Sequence, residues 1–174
     1  MGALAKQALL VLSLCALPAM ALCQTGPVRP PEPPPAPGPP LALAREAIQA
    51  ALDACLGEGE PKVAVSVIDS AGELKAMASA DGVPPGHAVA NSLGKAMAAL
   101  LYQTSSGAAY ARLRTDPAAL AAAEANPRVR LRAGGELLAS RGGVIGAIGV
   151  SGAASGDKDD LCALAGVARI KARL

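Results

Sequence analysis

"GGVIGAIGVSGAASGDKDD", Gly142 to Asp160, is the stretch on which the fold turns. Glycine at this density lets backbone approach something closely, because no Cβ stands in the way. A dinucleotide-binding fingerprint needs glycines at i, i+2 and i+5 after a strand. Here they fall at 146, 149, 152 and 156, which does not fit. A phosphate loop needs Gly-Lys-Ser/Thr, and the chain offers "GDKDD", whose carboxylates would repel a phosphate. Those acids suit the first turn of a helix, with Asp157 as its cap and Arg169, Lys171 and Arg173 at the opposite end. Gly146 and Gly149 then lie inside a strand, where the missing side chains admit a closely packed neighbour. The stretch reads as a strand turning tightly into a helix.

Just before it, "ELLAS" and the turn "RGG" make a hairpin with "VIGAIGV", and residues 157–174 close the chain as a helix. An earlier hairpin is clearer: Val63, Val65 and Val67 alternate, "DSAG" turns, and Leu74 to Ser79 returns. Leu41 to Leu56 and His87 to Gln103 read as helices, and residues 105–127 as helical or irregular with breaks at Pro117 and Pro127. Hairpins with helices between and after them predict an α+β domain, a small antiparallel β-sheet flanked by helices.

The termini and the composition bound what such a domain does. "MGALAKQALLVLSLCALPAMALCQ" has one lysine, a short apolar run and the small residues Ala19 and Ala21. It is laid out as a signal peptide, residues 1–21, and its apolar run is too short for a membrane span. Export to the periplasm or outside the cell follows, with no transmembrane span in the mature protein. A lipid anchor at Cys23 fits less well, because Leu22 is bulky. Residues 22–40 form a proline-rich linker: nine of the eleven residues from Pro30 to Pro40 are Pro or Gly, which excludes helix and sheet. The domain occupies residues 41–174. Net charge +2 gives no footprint for nucleic acid or an anionic membrane. With no Phe or Trp and two tyrosines, the core gains little per residue, which favours a homo-oligomer. Cys55 and Cys162 either pair or sit as two small buried hydrophobes; spacing leaves both open.

Four ordered pieces resemble the GlcG/HbpS-like haem-binding, or haem-degrading, family: "VAVSVIDSAGEL", "ADGVPPGHAVANSLGKAMAA", "AGGELLASRGGVIGAIG" and "VIGAIGVSGAASGDKDDLCALAG". The resemblance covers residues 41–170, the whole expected domain. The resemblance implies the α+β fold reached above, binding of haem or a related tetrapyrrole, oligomers and, in some members, sensing or haem degradation. Two departures stand out. Ala98 replaces the threonine common in "KA.TA", and Leu137 stands where a proline usually follows the Gly-Gly pair.

His87 is the only histidine, and neutral imidazole is a common axial ligand to haem iron, so it is the candidate metal ligand. Asn91 and Lys95 follow at i+4 and i+8, near the same helical face, with Lys95 able to meet a propionate. The same three residues also read as a solvated polar stripe. Tyr102 and Tyr110 are alternative ligands or packing anchors, and Arg112 and Arg114 are propionate partners or solvated loop residues. Asp69 and Asp81 read as turn caps. No nucleophile–base pair or metal cluster supports catalysis, so a binding protein for haem or iron handling or sensing comes first. A haem-degrading or small-metabolite enzyme of the same fold is an alternative, as is a ligand-free structural or interaction module.

Overall fold

The computed structural model describes residues 32–174, of which Pro34–Leu174 form one compact unit. The expected signal peptide, Cys23 and the linker up to residue 31 lie outside the described residues. The end of the proline run belongs to the domain: Pro37 accepts a hydrogen bond from the Ser70 backbone N–H at 2.9 Å, and Pro39 is fully buried. Helix α1, Leu41–Gly57, starts directly behind it.

Strands β1 (Ala64–Asp69) and β2 (Leu74–Ser79) form the first hairpin, and β3 (Gly135–Ser140) and β4 (Gly143–Ser151) the second. β1 pairs with β4 antiparallel, so the two hairpins fuse into one four-stranded antiparallel sheet ordered β2-β1-β4-β3. The Asp69 carboxylate closes the first turn by accepting from the Ala71 and Glu73 N–H groups, as its turn position predicts.

Alternation along β1 and β4 sets the two faces. Val65 and Val67, with their partners Val150 and Ile148, point to α1 and to α5 (Gly156–Ile170), forming the larger core. Ser66, Ile68 and Ala147 point the other way, to α2 (His87–Tyr102). Between α2 and β3 lie two short helices, α3 (Ser106–Leu113) and α4 (Pro117–Glu124). Pro117 occupies the first turn of α4 behind an Asp116 cap, so the expected break is a helix start.

Small residues let these layers meet. A Cβ on Gly149 would lie 2.7 Å from the Ala96 nitrogen and closer still to the Ser92 carbonyl, so α2 rests directly on β4. A buried Ser66–Ser92 hydroxyl pair at 2.7 Å ties β1 to the same helix. On the other face, Gly166 lets α5 lie against α1 at Ala47 and Ala51. Cys55 and Cys162 are joined there as a disulfide, with Cα atoms 5.5 Å apart.

One expected cap is corrected. Ser155, and not Asp157, caps α5, its side chain accepting from the Lys158 N–H. Serine fits because its short hydroxyl reaches the free N–H of the first turn without carrying charge into the preceding loop. This leaves the acids of the first turn available for other contacts.

Candidate functional site

Lys95 enters the middle of α2, yet only 5% of its side chain is exposed. Its Nζ donates to Asp159 Oδ2 of α5 at 2.5 Å, and the Asp159 side chain is equally buried. The second oxygen, Oδ1, accepts from the Ala153 N–H at 3.0 Å. Burial pushes Lys95 below the ordinary lysine range and Asp159 above the ordinary carboxylate range, while each charge opposes the shift in the other. The expectation of a solvated stripe therefore holds for His87, which is exposed, and not for Lys95. The reason is tertiary: α5 covers the face that helical spacing alone leaves open.

The Gly-Gly pair of the second hairpin packs directly against this ion pair and the backbone beside it, with the Val150 carbonyl 2.5 Å from where a Cβ on Gly134 would stand. Gly134 has φ +118°, and a Cβ there would lie 2.7 Å from Asp159 Cβ and 2.9 Å from Lys95 Nζ. A Cβ on Gly135 would strike the Lys95 carbonyl and lie 2.8 Å from Ser106 Oγ. The Gly134 N–H donates to Asp160 Oδ1 at 2.7 Å, and the Gly135 N–H to Ser106 Oγ at 2.8 Å. Helix α2, the start of β3 and the start of α5 are thus locked together at one point.

Beside that point opens a cleft of about 520 Å³, lined by Asn91, Lys95, Tyr110, Arg130, Arg132 and Asp159 and by the loop 151–156. Its volume falls in the usual range of roughly 300–1,000 Å³ for ligand sites. The arginines come from "RVRLR", residues 128–132, a turn and loop along which burial alternates: Val129 and Leu131 are buried and the arginines face out. Arg132 packs its guanidinium over the Tyr110 ring, 4.5 Å from the centroid, and bridges to Glu124 at 3.2 Å. The cleft carries three cations against one carboxylate, so it suits an anionic ligand.

Asn91 and Lys95 meet in this cleft. His87 does not line it; it stands exposed one turn before Asn91, at the start of α2. Tyr102 and Tyr110 both pack against Ala98, Ala109, Val129 and Leu131, the anchoring role expected of them, and Tyr110 also lines the cleft. Ala98 is fully buried in that cluster, and Arg112 and Arg114 are exposed. Asp159, Arg130 and Arg132 went unassigned in the sequence. The alternation of "RVRLR" signals a strip with arginines on one side, but nothing local says what the strip faces. Among the described residues no group of three or more His, Cys, Asp or Glu is placed to hold a metal ion, and no helix is long and apolar enough to cross a membrane.

Fold and cleft together define a single-sheet antiparallel α+β domain with one cationic cleft between α2 and the start of α5. A family model described as "Haem degrading protein HbpS-like" matches residues 40–168, and the chain belongs to that family. Solved structures agree. HbpS is 29% identical, with 80% of this chain and 95% of that one covered and a TM-score of 0.69; a double mutant of the Streptomyces reticuli HbpS matches at the same identity and score. The Klebsiella pneumoniae protein ORFY shares the fold at 22% identity, covering 84% and 99% of the two chains, with a TM-score of 0.70. PduOC in its haem complex does so at 21% identity, covering 76% and 95%, with a TM-score of 0.66. No curated protein matches the sequence significantly.

Proposed function

We propose that the chain is an exported tetrapyrrole-binding protein acting in haem or iron handling or sensing, with its ligand across the cleft beside the Lys95–Asp159 pair. The observation that carries the reading is the convergence in one cationic cleft of Asn91 and Lys95, from the family-like helix, with residues 151–156 and Asp159, from the family-like strand-to-helix turn. Haem presents two carboxylates and a flat apolar face. The cleft offers cations, a tyrosine ring and small side chains, which fit the carboxylates and the ring edge. It does not supply the large apolar enclosure usual for a buried ligand. A second copy of the chain covering the exposed side would complete it. Exposed Met77, Val89 and Leu101 and an alanine-rich core are consistent with association.

His87 is the proposed iron ligand: it is the sole imidazole, and its exposure leaves a ring nitrogen open to a ligand held along α2. Export is supported by the layout of residues 1–21 and by the Cys55–Cys162 disulfide, which persists best in an oxidising compartment. A mature chain beginning at Leu22 outside the cytoplasm would bear this out, and an intact Met1 in the cytosol would overturn it.

Titration with hemin tests the main reading. A shifted Soret band that persists supports binding, and an unchanged free-hemin spectrum overturns it. Because the family description names haem degradation, a reductant is then added under air. Bleaching of the band would place the protein among degrading members. His87→Ala is expected to move the Soret maximum and weaken binding at least tenfold, about 1.4 kcal/mol. If neither changes, the ligand lies elsewhere.

A further inference from the structure

We propose that Arg130 is the carboxylate-recognising residue of the cleft, and that it makes the site selective for tetrapyrroles with free propionates over their esters. This rests on the tetrapyrrole reading above.

Three cations line the cleft and a fourth stands beside them in the same segment, and the structure commits all but one. Lys95 is held by Asp159 at 2.5 Å, with both side chains buried. Arg132 is held by Glu124, by the Leu131 carbonyl and by the Tyr110 ring. Arg128, the first arginine of the strip, donates to the Gly72 carbonyl at 3.3 Å, away from the cleft. Arg130 lines the cleft and is exposed, and among the described residues its guanidinium makes no hydrogen bond or ion pair.

Its position is built in. The Arg130 N–H donates to the Gly94 carbonyl of α2 at 2.9 Å, and a Cβ on Gly94 would lie 2.9 Å from Arg130 Cβ. Glycine at 94 therefore lets the arginine strip press against the helix one residue before Lys95. A carboxylate entering the cleft takes both N–H donors of the planar fork. Esterification removes the charge, and with it the reason to bind there.

The test titrates the parent, Arg130→Gln, Arg130→Lys and Arg112→Gln with hemin and with hemin dimethyl ester, read at the Soret band. The parent is expected to prefer the free acid at least tenfold. Arg130→Gln should lose at least tenfold toward hemin and stay within twofold of the parent toward the ester, with Arg130→Lys recovering part of the loss. Arg112→Gln, exposed and outside the cleft, should behave as the parent. Circular dichroism of Arg130→Gln should match the parent, since the bond to Gly94 uses only backbone. Unchanged hemin affinity in Arg130→Gln overturns the proposal and leaves the tetrapyrrole reading standing. So does an equal loss in Arg112→Gln, which would mark a general charge effect. A parent that binds neither compound overturns both.

Discussion

Lys95 and Asp159 take two charges out of water and return them mainly to each other, so the pair is costly to break and of modest net worth when whole. Removing one partner leaves a buried uncompensated charge, typically about 3–5 kcal/mol. Lys95→Met and Asp159→Leu are each expected to destabilise on that scale in urea unfolding. Lys95→Met combined with Asp159→Leu should cost far less than the sum of the two single losses, although the Ala153 N–H then loses its acceptor. Strict additivity would show that the two side chains act independently. Glu136 is a second buried-charge problem. It sits half-buried on β3, and burial, aided by the Asp160 carboxylate, raises it from its ordinary 4.5 to about 7. A carboxyl that holds its proton more tightly when folded contributes fully below about 4.5, and that contribution is lost as pH rises toward about 7. The urea midpoint should therefore fall over that interval, and Glu136→Gln should flatten this part of the profile. An identical profile in the variant would exonerate Glu136.

At the scale of elements, glycine decides where layers can touch. Gly149→Ala would drive a methyl into the Ser92 carbonyl and the Ala96 nitrogen of α2, groups that cannot rotate away. Overpacking costs typically about 1–3 kcal/mol, and backbone contact places this change at the upper end or beyond. Gly57→Ala, at the end of α1 with nothing within 4 Å, should stay within about 0.5 kcal/mol. Equal melting temperatures for the two variants would refute the layer argument. The same residues explain what the sequence made legible. Valines alternating at 63, 65 and 67, a turn at Asp69 and an unbroken alanine-rich helix are local signals, and they give the element order correctly. The partner of Lys95 was hidden because Asp159 lies 64 residues away on another helix. At its own position Asp159 looks like an ordinary first-turn acid. The cap fell to Ser155 for a different reason: the helix begins at Gly156, which puts Asp157 inside the first turn, and serine caps as well as aspartate does.

For the whole molecule, the question is how a domain without Phe or Trp holds together. Its largest fully buried side chains are isoleucines, leucines and valines, and many of the remaining core positions are alanine. Area removed from water is worth roughly 25 cal/mol per Å², so an alanine core gains little per residue against chain entropy. The disulfide offsets part of that deficit. It closes a separation of 107 residues between α1 and α5, the two helices that cover the larger core, and so excludes many open conformations from the unfolded chain. Spacing in the sequence could not reveal this, because pairing depends on α1 and α5 lying antiparallel across the sheet. In the chain-entropy view a loop of this size contributes up to about 4.7 kcal/mol, and removal of a native bridge costs about 2–5 kcal/mol. Both cysteines are almost fully buried, so Cys55→Ala with Cys162→Ala leaves two small apolar side chains in place and loses mainly the cross-link. That variant should unfold at lower urea by an amount in this range, and reductant should lower the midpoint of the parent but not of the variant. Equal stability of parent and variant in the absence of reductant would show that the helix pair is held by packing alone.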